Sequence, residues 1–96
     1  MIVEIECLPD PPGTANNRHA HVEAAIAVIQ RSGLAHTVGA LGTTFEGTPD
    51  QVWPLARAVH EACLASGASS VVSVIKVAEA SGGGPAVDDL TAKYRA

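Results

Sequence analysis

Four segments of the chain combine β-prone residues with an alternation of apolar and polar positions, or are apolar on both faces. Such segments are typical of half-buried or buried β-strands. The second and third segments follow each other closely, with glycine between them, which favours a hairpin. The predicted strands cover residues 2–8, 34–41, 42–47 and 70–77.

Two further segments place their apolar residues at helical spacing. The first helix is predicted from about residue 17 to Ser32, with Asn16 or Asn17 as its N-cap and Gly33 just beyond its end. Its apolar stripe consists of Val22, Ile26 and Ile29.

The second helix has a stronger start signal. Thr48-Pro49-Asp50-Gln51 has the form of a capping box with proline at the first helical position, and Gly67 should end the helix after Ser66. Because Pro54 lacks an N–H group, we expect an irregular first turn. The predicted apolar stripe consists of Val52, Leu55, Ala56, Val59 and Cys63.

The order β-α-β-β-α-β predicts an α+β protein of the ferredoxin-like type, with two helices on one face of a four-stranded antiparallel sheet. Right-handed crossovers place the first and third strands next to each other in the middle. Residues 1–80 form the predicted single domain, and residues 81–96 are a glycine-rich break followed by a short C-terminal arm.

Composition narrows the function classes. The 96 residues are 47% hydrophobic with a net charge of −4, which argues for a globular domain and against a nucleic-acid partner. Residues 1–8 contain neither a basic leader nor a long apolar run, so we expect a cytoplasmic protein without a membrane anchor. Cys7 and Cys63 form no C-x-x-C motif, and their apolar surroundings are typical of buried free thiols.

Because side chains alternate between the two faces of a β-strand, a second set of side chains lies on the sheet face that the helices leave open. An exposed patch of this kind indicates an association or ligand surface, so we expect a dimer or tetramer with a polar site inside the interface. The set mixes apolar residues with three acids and one lysine: Ile2, Glu4, Glu6, Leu8, Thr44, Glu46, Val72, Val74 and Lys76.

Two interpretations of these charges remain open. Lys76 can simply pair with Glu4 or Glu6 on the adjacent strand. One lysine cannot neutralise three carboxylates, however, and unpaired buried charge is costly. The missing positive charge or hydrogen-bond donors would then come from a small cationic or donor-rich ligand, from water, from a partner chain or from protonation of a carboxylate.

Histidines offer a second candidate chemistry. His60 lies on a flank of the second helix with Trp53, where it either packs or offers a hydrogen bond to a ligand. His19 and His21 diverge on a helix, so no metal site is predicted. No catalytic set of nucleophile, base and orienting group is evident. A cofactor-free enzyme with His60 or Glu46 as general base and a pure protein-interaction module remain alternatives.

Several short motifs, given below, resemble the small thiamine-binding, YkoF-like family, also called UPF0045 or DUF77, in both their order and their spacing. The resemblance covers about residues 1–77. The motifs are Ser32-Gly33-Leu34, Gly42-Thr43, Glu46-Gly47, Asp50, His60-Glu61-Ala62, Gly67-Ala68 and Ile75-Lys76.

This resemblance implies a ferredoxin-like fold, assembly through sheets, and binding of thiamine or its hydroxymethylpyrimidine moiety without catalysis or a required cofactor. By position, the resemblance implies that the motif residues Thr43, Glu46, His60 and Lys76 matter for this function. The chain departs from the family after Lys76, where the family often carries charged residues. Together with the open face, the expected ligand-binding residues are Glu6, Thr43, Thr44, Glu46, His60 and Lys76.

Overall fold

A computed structural model describes residues 1–95, and their order of elements confirms the ferredoxin-like prediction. The four strands form one antiparallel sheet in the order β2-β3-β1-β4, so the first and third strands lie in the middle as predicted. The strands are β1 (Ile2–Asp10), β2 (His36–Val38), β3 (Thr43–Glu46) and β4 (Ser70–Ala78). The helices are α1 (Ala20–Arg31), α2 (Pro49–Ala65) and the short α3 (Val87–Thr91), followed by a 3-10 turn at Ala92–Tyr94.

The two neighbours of β1 differ in length, and this difference shapes the site. β4 pairs with the whole of β1, whereas β3 pairs with it only as far as Ile5, which lies opposite Thr43. β1 continues to Asp10, two residues beyond the predicted end, because β4 still offers partners there. The second half of β1 therefore has a strand on one side only.

The hydrophobic core lies between the sheet and α1 and α2. Every residue of the stripe predicted for α2 is buried, and Val3, Ile5 and Phe45 meet this stripe from the sheet. The start of α2 is fixed by the Gln51 side chain, whose oxygen accepts a hydrogen bond from the Thr48 N–H at 3.0 Å. Pro54, for which an irregular first turn was expected, lies inside this helix and does not interrupt it. No helix in residues 1–95 is long and apolar enough to cross a membrane.

The helix α1 begins at Ala20, later than the predicted start at residue 17. Asn17 lies in a turn instead, since its carbonyl accepts the Thr14 N–H and its side-chain oxygen accepts the His19 N–H. Asparagine often competes with helix formation through such local bonds. The prediction of Gly33 beyond the helix end is confirmed by its positive φ of 79°.

The buried stripe of α1 also differs from the predicted one. His21, Ala25 and Ile29 are buried, while Val22 and Ile26 are only half-buried. Ile29 is therefore buried as predicted, whereas Val22 and Ile26 lie at the border of the core.

The strand predicted over 34–41 is reduced to the three residues of β2, because the chain turns where Gly39 donates to the Gly42 carbonyl at 2.9 Å. The tight turn removes residues 39–41 from the sheet. As a result, the connection between β2 and β3 does not pair with the second half of β1.

Candidate functional site

On the open sheet face, Lys76 pairs with Glu4. The two residues lie opposite each other on β4 and β1, and the Lys76 Nζ is 3.3 Å from the Glu4 Oε1. Both side chains are largely solvated, so the pair contributes only about 0–1 kcal/mol to stability. The cross-strand interpretation of Lys76 is therefore the one that the geometry favours, with Glu4 as its partner.

Glu46 is engaged by the C-terminal arm. Its Oε2 accepts a hydrogen bond from the backbone N–H of Val87, the first residue of α3, at 2.9 Å. Thr44, Glu46, Val87 and Arg95 border a hollow of about 160 Å³ beside the strand β3. The arm thus lies against the open face at this end of the sheet, and Glu46 serves as its attachment point.

Glu6 and Thr43 border a different and larger cavity of about 280 Å³. This cavity lies in the gap beside the second half of β1, beyond the point where β3 ends. Its walls come from β1, the inner edge of α1, the turn between β2 and β3, and Val59 of α2. The bordering residues include Ile5, Glu6, Cys7 and Leu8 of β1, Val22 and Ile26 of α1, and Leu41, Gly42 and Thr43.

Four consecutive β1 residues border this cavity because it lies along the free edge of the strand rather than on one face of the sheet. The backbone direction alternates along a strand. The Ile5 carbonyl points toward β3, 3.2 Å from where a Cβ on Gly42 would lie, whereas the Asp10 carbonyl accepts the Ser69 N–H on the β4 side. Cys7 lies two residues after Ile5, so its N–H and C=O point to the same side as those of Ile5. At Cys7 this side has no strand, because the pairing with β3 stops at Ile5.

The cavity therefore combines aliphatic walls with a donor and an acceptor of the backbone, the Glu6 carboxylate and the Thr43 hydroxyl. Glu6 makes no ion pair within residues 1–95, in contrast to Glu4. Such a site suits a flat, partly apolar ring that carries both donors and acceptors. A larger cavity of about 400 Å³ lies under the C-terminal arm, but alanine, glycine and proline dominate its lining.

His60 lies elsewhere, on the helix side of the sheet. Its Nδ1 is 2.6 Å from the Ser73 Oγ, and it borders an open groove between α2 and β4 with Trp53 and Ile75. The structure thus distributes the six predicted ligand residues over four places. Glu6 and Thr43 share the cavity beside β1, Thr44 and Glu46 lie near the arm, Lys76 pairs with Glu4, and His60 faces the groove.

Several residues that border the cavity were not among the predicted ones. The predicted helix stripe places Val22 and Ile26 in the core, and the predicted strand 34–41 includes Leu41. The predicted strand lengths contain no signal for them, because segments 2–8 and 42–47 are almost equally long. The free edge exists because β1 extends to Asp10 while β3 is confined to Thr43–Glu46. Within residues 1–95 no group of three or more potential metal ligands lies together.

The fold and this cavity define a small α+β protein of the ferredoxin-like type with a site beside its central strand. A family model described as "Thiamine-binding protein" matches residues 3–95, and the chain belongs to this family. Family membership supports a small-molecule-binding role.

Relatives agree with this assignment. A UPF0045 protein of Clostridium perfringens is 32% identical over 74 residues, which cover 77% of each chain. The structure of a DUF77 domain from Bacillus cereus is 31% identical and superposes with a TM-score of 0.82, covering 98% of this chain and 90% of that one. A Thermotoga maritima protein, provisionally assigned to thiamine biosynthesis or salvage, has the same fold at 22% identity, with a TM-score of 0.82 and coverage of 98% and 97%.

Proposed function

We propose that the protein binds thiamine, or its hydroxymethylpyrimidine moiety, in the cavity beside β1, and that it does so in the cytoplasm without catalysis or a required cofactor. The observation that carries this proposal is the unpaired edge of β1 between Glu6 and Leu8, enclosed by apolar walls. The family and the name of the Thermotoga maritima relative support the choice of ligand.

An aminopyrimidine complements this edge. Its exocyclic amino group donates hydrogen bonds and its ring nitrogens accept them, so it can take the place of a strand at the Cys7 N–H and C=O. Val22, Ile26 and Leu41 offer aliphatic surface to the ring. Each hydrogen bond to the neutral backbone is worth about 0.5–1.5 kcal/mol.

Glu6 provides electrostatic attraction for a positively charged ligand. Thiamine carries a permanent positive charge on its thiazolium ring, and a carboxylate at the border of the cavity attracts it. The cavity, at about 280 Å³, is small for a ligand site. Such sites usually occupy about 300–1,000 Å³. We therefore place only the pyrimidine ring inside the cavity and the thiazolium ring at its mouth, next to Glu6.

Self-association through the open sheet face is the second part of the proposal. Leu8, Val72 and Val74 lie on this face with exposed fractions of 51%, 62% and 46%. Exposed apolar side chains grouped on one sheet face favour burial against another copy. We propose a dimer or tetramer in which the open sheets pack together, beside the arm that Glu46 holds.

Calorimetric titration tests the ligand proposal. We expect heat and a rise in melting temperature with thiamine and with hydroxymethylpyrimidine, since binding to the folded state stabilises it. The ligand should be recovered unchanged after long incubation. Absence of both heat and stabilisation at millimolar concentrations of either compound contradicts the proposal, and chemical turnover would instead support an enzyme.

A further inference from the structure

The groove between α2 and β4 has a chemistry of its own. β4 is an edge strand of the sheet, with a neighbouring strand only on the side of β1. Trp53, Arg57 and His60 follow each other one helical turn apart and share one flank of α2. Ser73 and Ile75 lie on the same face of β4 and border the groove from the other side. The groove measures about 380 Å³, within the range of about 300–1,000 Å³ that is usual for ligand sites.

The walls of this groove are apolar and accessible. Trp53 is 50% exposed, and Ile75 is 40% exposed although it lies on the face of the sheet that the helices cover. Ala56, which is buried, borders the groove beside them. The indole of Trp53 thus offers a large flat surface at a concave site, which suits an aromatic ring.

His60 offers a polar group at a fixed position. Its Nδ1 is 2.6 Å from the Ser73 Oγ, which holds the imidazole ring in place. The other ring nitrogen, Nε2, makes no hydrogen bond within residues 1–95 and is not enclosed by protein atoms. A hydroxyl can donate to Nδ1 as well as accept from it, so Ser73 permits the form of His60 that carries its proton on Nε2. In this form His60 is a donor for a ligand in the groove.

The charges around the groove distinguish it from the other cavities. A carboxylate borders each of the three cavities described above: Glu6 beside β1, Glu46 at the hollow near the arm and Glu79 under the arm. The α2–β4 groove is instead bordered by Arg57 and by no carboxylate among residues 1–95. The Arg57 Nε donates to Glu61, and the guanidinium has four further N–H donors. In a chain with a net charge of −4, this groove is the one that suits an anion.

We propose that the α2–β4 groove is a second ligand site, which binds a small aromatic carboxylate. The aromatic ring lies against Trp53 and Ile75, and the carboxylate accepts hydrogen bonds from the Arg57 guanidinium and the His60 Nε2. Charge-assisted bonds from a planar guanidinium match the geometry of a carboxylate. The groove shares no bordering residue with the cavity beside β1 and favours the opposite charge, so this site does not depend on the function proposed for that cavity.

The test uses the full chain labelled with ¹⁵N, titrated with benzoate and with benzamide, its neutral analogue of nearly the same shape. Trp53 is the only tryptophan, so a single indole N–H signal reports on the groove. We expect benzoate to shift this signal and the amide signals of residues 73–75 in a saturable way, and benzamide to bind several-fold more weakly. Absence of a saturable shift at millimolar benzoate, or equal affinity for both compounds, would overturn the proposal.

Variants separate a specific role of Arg57 from the general charge of the protein. Arg57→Gln should weaken benzoate binding several-fold and leave benzamide binding unchanged. Arg31→Gln is the matched control, since it removes the same charge from an exposed position at the end of α1. Equal weakening of benzoate binding in both variants would refute the assigned contact.

A titration with thiamine distinguishes the two proposed sites. Thiamine should leave the Trp53 indole signal in place and should not displace benzoate, whatever its effect on the residues beside β1. Competition between thiamine and benzoate at Trp53 would overturn the assignment of a separate site. Failure of thiamine to bind anywhere would contradict only the function proposed for the cavity beside β1.

Discussion

The Glu46 carboxylate lies 2.9 Å from the backbone N–H of Val87 and accepts its hydrogen bond. This contact connects β3 with the first residue of α3, and it gives a residue from a family motif a role within its own chain. Since α3 is only five residues long and none of its side chains is buried, little else fixes its position. Glu46 is therefore best understood as the anchor of the arm.

This role predicts how Glu46→Ala behaves. The arm loses a charge-assisted hydrogen bond worth up to about 1.5–3 kcal/mol, less because the site is partly solvated. We expect faster hydrogen exchange of residues 81–95, with thiamine affinity unchanged. Glu46→Gln, which keeps an acceptor oxygen, is the matched control and should have a smaller effect. A loss of thiamine affinity in both variants would instead make Glu46 a ligand contact.

Glu6 is expected to behave in the opposite way. Glu6→Gln removes the charge at the border of the cavity, and the loss of about 1.4 kcal/mol of attraction to the thiazolium corresponds to tenfold weaker thiamine binding. Binding of the neutral hydroxymethylpyrimidine should change less, because it lacks that charge. Calorimetric titration of both compounds measures the difference.

Glu4→Gln is the matched control for this experiment, since Glu4 lies on the same strand but pairs with Lys76. Its affinity for thiamine should equal that of the unchanged protein. If both variants weaken binding alike, the general negative charge of the sheet attracts the ligand, and no specific role of Glu6 follows.

Features of this chain that depend on local sequence pattern are the ones that the sequence predicts correctly. The α2 stripe and its capping signal depend only on residues within one turn or two of each other, and the structure confirms both. The predicted start of α1 is wrong because Asn17 lies in a local turn that its own side chain stabilises. The cavity and the contact between Glu46 and Val87 arise where distant segments meet, so periodicity could not place them.

Self-association through the open face predicts the effect of Val74→Glu. Val74 lies on that face, and a carboxylate there would be brought close to its copy and lose water on burial. We expect a shift to monomer in sedimentation velocity experiments, with an unchanged circular dichroism spectrum. Leu64→Glu, on the outer surface of α2 at a similar exposed fraction of 45%, should leave the assembly intact. Identical sedimentation of all three proteins would place any interface elsewhere.

The buried contact between His21 and Ser66 predicts a loss of stability. The Ser66 hydroxyl donates to the Cys63 carbonyl at 3.0 Å, so the His21 Nδ1, 2.6 Å from the same oxygen, must be the donor to Ser66. Ser66→Ala leaves this donor without a partner in a histidine that is only 3% exposed. Because an unsatisfied buried group costs about 1–3 kcal/mol, the free energy of unfolding in urea should fall by that amount.

Ser32→Ala provides the comparison for this effect. Its hydroxyl caps the end of α1 by donating to the Ile29 carbonyl, but its removal leaves no buried donor unpaired. We expect its cost to be smaller than that of Ser66→Ala. If the two variants lose the same stability, the hydrogen bond from His21 adds nothing beyond the loss of a helix-end contact, and the packing of α1 against the end of α2 must depend on apolar contacts alone.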